Sequence, residues 1–118
     1  MTIEFTNKKI KHEEEVTIWT KKINEQKTLI TTYTSEKKDL SSRLEILEKR
    51  VEKVEKEEKK VVEREIETVK SEIEKYEKYI TDVTTLVTTY KTSLTKINTE
   101  WKTYYTKYTT AKATSYNS

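Results

Sequence analysis

The sequence predicts an all-α protein, a long antiparallel coiled-coil helical hairpin, and three observations carry that reading. Apolar residues recur at alternating spacings of three and four along both halves of the chain. The 118 residues include no glycine and no proline, so little in the chain interrupts a helix. Between the halves the two apolar rows fall out of phase, and the charged stretch Glu55–Lys60 lies at the mismatch.

The second half carries the stronger pattern. With position a at Ile66, Ile73, Ile80, Val87, Leu94, Trp101 and Tyr108, position d falls at Val62, Val69, Tyr76, Val83, Tyr90, Ile97, Tyr104 and Ala111. All 15 positions are apolar or aromatic in a chain that is 32% hydrophobic. Threonine fills 13 of the 34 positions from Thr81 to Thr114, and as a β-branched residue it is a weak helix former. A half-buried strand needs strict alternation, which is absent, so the period decides for helix.

The first half repeats the pattern with a at Val16, Ile23, Ile30, Lys37, Leu44 and Val51, and d at Trp19, Gln26, Tyr33, Leu40, Leu47 and Val54. Only Gln26 and Lys37 depart from it. From Val51 to Ile66 is 15 residues rather than 14, so the registers do not join. A hairpin pairing like positions sets Leu44 beside Ile73, Ile23 beside Leu94, Val16 beside Trp101, Leu40 beside Tyr76, Tyr33 beside Val83 and Trp19 beside Ile97. Its bend falls within residues 55–61, near Glu58. Val16, Trp19, Ile97 and Trp101 then form a large cluster at the open end, with Tyr104 and Tyr105 beside it.

Two alternatives fit the same rows. One is a single continuous helix that absorbs the skipped residue by local unwinding. The other is a three-helix bundle with a break at Thr31–Ser35 or Asp39–Ser42, where Ser42 and Glu45 have capping-box spacing. Residues 1–12 lack the period, and Ile3 and Phe5 alternate as in an extended arm. The helical domain is therefore expected over residues 13–111, with residues 112–118 fraying as a tail.

The composition excludes most chemistry. There is no cysteine and one histidine, and no hydroxyl has an evident base to activate it. No catalytic, cofactor-binding or metal-binding residue is expected, and the chain reads as no enzyme. His12 precedes Glu13, Glu14 and Glu15, but consecutive side chains point round a helix and suit a solvated acidic turn better than a metal. From Glu45 to Lys78, 22 of 34 residues are charged, 12 acidic and 10 basic, as on a salt-laced helix surface or a charged tip that docks a partner. The segment Trp101–Tyr108 interleaves lysines with aromatics, as a nucleic-acid surface would. Trp101, Tyr104 and Tyr108 lie on the seam, though, so nucleic acid is the less favoured partner.

Apolar residues also lie beside the seams: Ile18, Leu29, Ile46, Tyr79, Leu86 and Tyr105. The apolar face is thus wider than one two-stranded seam needs. Self-association into a dimeric four-helix bundle, or a larger assembly, is the expected remedy. The residues expected to carry seam and assembly are Val16, Trp19, Ile23, Ile30, Leu44, Leu47, Ile66, Ile73, Ile80, Val87, Leu94, Ile97, Trp101, Tyr104, Tyr105 and Tyr108. The functional expectation is a non-enzymatic structural protein with a second copy, or another structural protein, as its partner. The alternatives are a nucleic-acid-binding module using the basic C-terminal helix and a regulator that binds a host protein through a helix face. No apolar run reaches the length of a membrane span or a signal peptide, which points to the cytoplasm or a virion.

Lys and Glu are abundant while Gln and Met occur once each, the compositional signal of a hyperthermophile; a coiled coil from an AT-rich mesophile shares it. In its Thr/Tyr/Lys/Glu/Ile-rich helical core over residues 16–111, the chain resembles small cysteine-free helical structural proteins of viruses infecting hyperthermophilic crenarchaea. The resemblance implies a virion or scaffold role and transfers no functional residue.

Overall fold

Two helices and one tight turn make up the structure, a computed structural model that describes residues 2–117 and side chains from Thr2 to Thr114. Helix α1 spans Ile3–Val51 and helix α2 spans Lys56–Asn117. The two helices return on one another as a hairpin, with no strand among the described residues. Neither Thr31–Ser35 nor Asp39–Ser42 breaks α1, so the three-helix bundle does not form, and the turn removes the continuous helix.

Both ends of the helical region reach further than the apolar period suggests. Thr2 caps α1: its hydroxyl accepts the Phe5 backbone N–H at 3.1 Å, satisfying an amide with no partner inside the helix. Glu4 then adds a carboxylate to the first turn. The extended arm expected over residues 1–12 is therefore helical from Ile3, because the cap outweighs two alternating apolar residues. The tail expected to fray from residue 112 is also helical, to Asn117, while Ser118 lies outside the described residues.

The turn occupies residues 52–55, earlier than the bend expected over 55–61, and Glu58 sits in the first turn of α2. No residue in it has positive φ, so glycine is not required. The Lys53 amide bonds the Arg50 carbonyl at 3.0 Å and closes α1; the Lys59 amide bonds the Glu55 carbonyl at 2.8 Å and opens α2. Lys49 and Arg50 end α1 while Glu57 and Glu58 begin α2, each sign complementing its helix dipole. Arg50 also pairs with Glu58 across the turn at 3.5 Å. Both side chains are half exposed, so the pair contributes at most about 1 kcal/mol.

The threonine-rich helices handle their hydroxyls locally. Thr17, Thr31, Thr68, Thr81, Thr92 and Thr109 each donate to the carbonyl four residues earlier, at 2.9–3.2 Å. A hydroxyl bonded this way does not compete with the helix from outside, which makes so many threonines tolerable.

The chain divides into two units, Gln26–Leu86 and the paired segments Met1–Glu25 and Val87–Ser118. The first of these contains the turn and the best-formed core. Leu47, Val62, Ile66 and Val69 are buried there, with Leu40, Leu44, Val51, Val54 and Ile73 packed around them. Val54 belongs to the turn itself, so the same cluster that fills the core holds the reversal in place.

The helices are antiparallel, as expected, but the like-with-like layers are not those seen. Tyr33 meets Tyr76 and Tyr79 at 5.9 and 5.4 Å between ring centroids. In the other unit Trp101 stacks on His12 and Trp19 packs on Tyr90. Reversing one helix reverses its order of three- and four-residue steps. Level layers then join an a residue to a d residue, as His12 with Trp101 and Phe5 with Tyr108.

Lys37 interrupts the α1 seam without burying its charge, since its ammonium reaches Glu77 on α2 at 3.4 Å. An exposed pair of this kind is worth about 0.2–1 kcal/mol, less than the burial of a leucine stem. Lys37→Leu is expected to raise the thermal midpoint, read by circular dichroism; a lowered midpoint would show that the ion pair outweighs the apolar gain.

Candidate interaction site in the aromatic unit

The unit formed by Met1–Glu25 and Val87–Ser118 concentrates its large side chains around Phe5. Phe5 is 5% exposed, and its ring lies 4.2 Å from Tyr108, 5.7 Å from Trp101, 6.0 Å from Tyr105 and 6.2 Å from Tyr104. Those four residues stand one, three and four positions apart along α2, the spacing that makes a four-residue hole for a knob from the facing helix. Phe5 is such a knob. One heptad later His12 fills the next hole: its ring stacks on Trp101 at 5.1 Å, and its Nε2 bonds the Asn98 Oδ1 at 2.9 Å. A further heptad on, Trp19 packs on Tyr90 at 5.4 Å.

Cations cover the exposed ring faces. The Lys8 ammonium stands 4.2 Å over Tyr104, and that of Lys22 lies 4.7 Å from Trp19. Beside them is a shallow cavity of about 270 Å³, lined by Lys8, Lys11, His12, Glu15, Trp101 and Tyr104, with Ile97 and Glu100. Lys8 and Lys11 already pair with Glu4 and Glu15 at 3.6 and 3.9 Å, which leaves the cavity close to neutral. Among the described residues no group of three or more His, Cys, Asp or Glu side chains could hold a metal ion.

The expected seam residues are placed as follows. Ile23, Leu47, Ile66 and Val87 are buried; Val16, Trp19, Ile30, Leu44, Ile73, Ile80, Leu94, Ile97, Trp101, Tyr104 and Tyr108 are half-buried; Tyr105 is 47% exposed. Leu44, Leu47, Ile66 and Ile73 share one cluster, and Trp101, Tyr104, Tyr105 and Tyr108 share the hole around Phe5. Trp19 packs on Tyr90, Trp101 on Phe5 and His12, and Ile97 lines the same cavity as Trp101.

Phe5 and His12 are the residues the seam reading leaves out. Both continue the d row backwards from Trp19 at seven-residue intervals, so the signal is present in the sequence. It is hidden because the a positions of the same stretch, Thr2 and Lys9, are polar. In the other unit the analogous feature is a tyrosine trio of Tyr33, Tyr76 and Tyr79. A hydrogen bond between Tyr76 and the Glu36 side chain, reinforced by partial burial and the charges of Glu36 and Glu72, holds its phenol above the usual tyrosine value.

No protein-family model, no curated protein and no solved structure matches this chain. No helix among the described residues is long and apolar enough to cross a membrane.

Proposed function

We propose that this chain is a non-enzymatic structural protein that acts by self-association of its helical hairpin. The observation that supports the reading is its surface. A monomeric protein of 14.1 kDa exposes about 6,700 Å² by the scaling of folded surface with mass, whereas this chain exposes 9225 Å². The excess of about 2,500 Å² exceeds the roughly 1,200–2,000 Å² that a stable specific interface buries in total. Among the described residues only seven hydrophobic ones are buried, while Trp101, Tyr104 and Tyr108 stay half-covered and Tyr105 is exposed. Aromatics dominate interface energetics, so the aromatic unit is where a second copy gains most. The compositional likeness to structural proteins of crenarchaeal viruses makes a virion or its scaffold the setting we favour.

Light scattering across a concentration series tests the reading. The mass is expected to be a multiple of 14.1 kDa. Tyr105→Glu, which places a charge on the exposed wall of the Phe5 hole, is expected to lower that mass with helicity unchanged. A particle of 14.1 kDa at every concentration ends the proposal.

A further inference from the structure

The face of α2 turned away from the seam changes character along the helix. Up to Lys78 most of its outward positions are charged, including Lys60, Arg64, Glu67 and Glu74. Within the aromatic unit, thirteen residues from Thr88 to Thr110 fall on this face by the helical period, and all are exposed. Nine are threonine and four are lysine, and the exposed Glu100 borders the face between Lys96 and Lys107. In a chain that is 38% charged, with both signs mixed almost everywhere else, a face with one sign of charge calls for a reason.

The lysines are ordered about the threonines. At 100° per residue Lys91 and Lys102 fall on one side of the ridge that includes Thr95 and Thr99, and Lys96 and Lys107 on the other. Within each pair the separation is eleven residues, or about 16.5 Å at 1.5 Å per residue. None of these four lysines makes an ion pair among the described residues. Glu100, the single acid on this length of helix, lines the cavity beside Lys8 and Lys11 on the flank towards α1. Thr92 and Thr109 spend their hydroxyl protons on backbone carbonyls, so they offer methyl groups and lone pairs and no charge.

We propose that this face is a binding surface for double-stranded DNA, with α2 lying in the major groove between two rows of phosphate-contacting lysines. A helix with its side chains is about 10–12 Å across, and the major groove of B-DNA is about 12 Å wide. Short, uncharged threonines let the helix approach the groove floor, where a threonine methyl meets the thymine methyl. The lysines then stand at the groove walls, where the phosphates are. Duplex RNA does not offer the same seat, because its major groove is deep and too narrow for side chains to read. The aromatics of Trp101–Tyr108 play no part, being committed to the seam around Phe5. The inference is independent of self-association.

The test is a fluorescence-anisotropy titration of the full chain with a 30-bp mixed-sequence duplex across a salt series. Four phosphate contacts per chain predict a slope of log affinity against log salt near −3.6, at about −0.9 per contact. Lys91→Gln with Lys102→Gln is expected to reduce that slope by about 1.8. Thr95→Glu with Thr99→Glu is expected to abolish binding although every lysine remains. Lys21→Gln, an exposed change on α1, should leave both affinity and slope unaltered. All variants lie at exposed helical positions, and circular dichroism checks that each remains folded. Absence of binding at 20 mM salt, a slope indifferent to the lysine changes, or binding indifferent to the threonine changes overturns the proposal. Equal affinity for duplex RNA also overturns it, since that would show a polyanion surface with no groove fit.

Discussion

Phe5→Ala is expected to destabilise the protein by about 3–5 kcal/mol, the range for removing a buried aromatic ring. The ring fills a hole walled by Trp101, Tyr104, Tyr105 and Tyr108. Its loss forfeits ring–ring contacts as well as burial, because the four partners touch the same face-packed core. Chemical denaturation followed by tryptophan fluorescence reports on this unit directly, since Trp101 lies against Phe5. The matched control is Ile3→Ala, two residues away and 81% exposed, which should change stability by no more than about 0.5 kcal/mol. Equal effects from the two substitutions would mean that the Phe5 hole contributes nothing to the fold.

Leu47→Ala is the corresponding change in the unit that contains the turn, with an expected cost of about 2–5 kcal/mol. Leu47 is 5% exposed and packs with Val62 and Val69, each 1% exposed, at the most completely buried point in the chain. The cavity would open beside Val54, so the turn is expected to loosen too, read as faster amide hydrogen exchange over residues 52–55. Ile46→Ala supplies the control: the same chemical change at an adjacent residue that is 67% exposed. Comparable losses at both positions would show that core packing does not set the cost.

The weak point of reading this chain from its sequence is its N-terminal segment. The a row stops at Val16 because Thr2 and Lys9 are polar, and the eye follows the a row. The d row continues through His12 to Phe5, and the structure follows the d row. Three of the four walls of the hole around Phe5 were thus legible: Trp101, Tyr104 and Tyr108 stand on the seam by their period alone. The knob that enters it was not. Tyr105 shows the same limit, for its place on the flank of the seam is plain in the sequence, while its 47% exposure depends on how closely α1 approaches.

The sequence by itself determined that the chain is helical and that each half has one apolar face. Both follow from side-chain spacing, which is a local property: 3.6 residues per turn projects every third or fourth residue to the same side. The tertiary structure decided where the chain reverses, since four residues with no glycine, proline or positive φ carry no local instruction to turn. That reversal is fixed by the packing of Val54 on the cluster that contains Leu47, Val62, Ile66 and Val69, a gain that exists only once both helices are present. It decided the register too. Like-with-like and a-with-d layers satisfy the same periods, and only the position of the turn, with the lean of side chains towards each helix's own N-terminus, chooses between them.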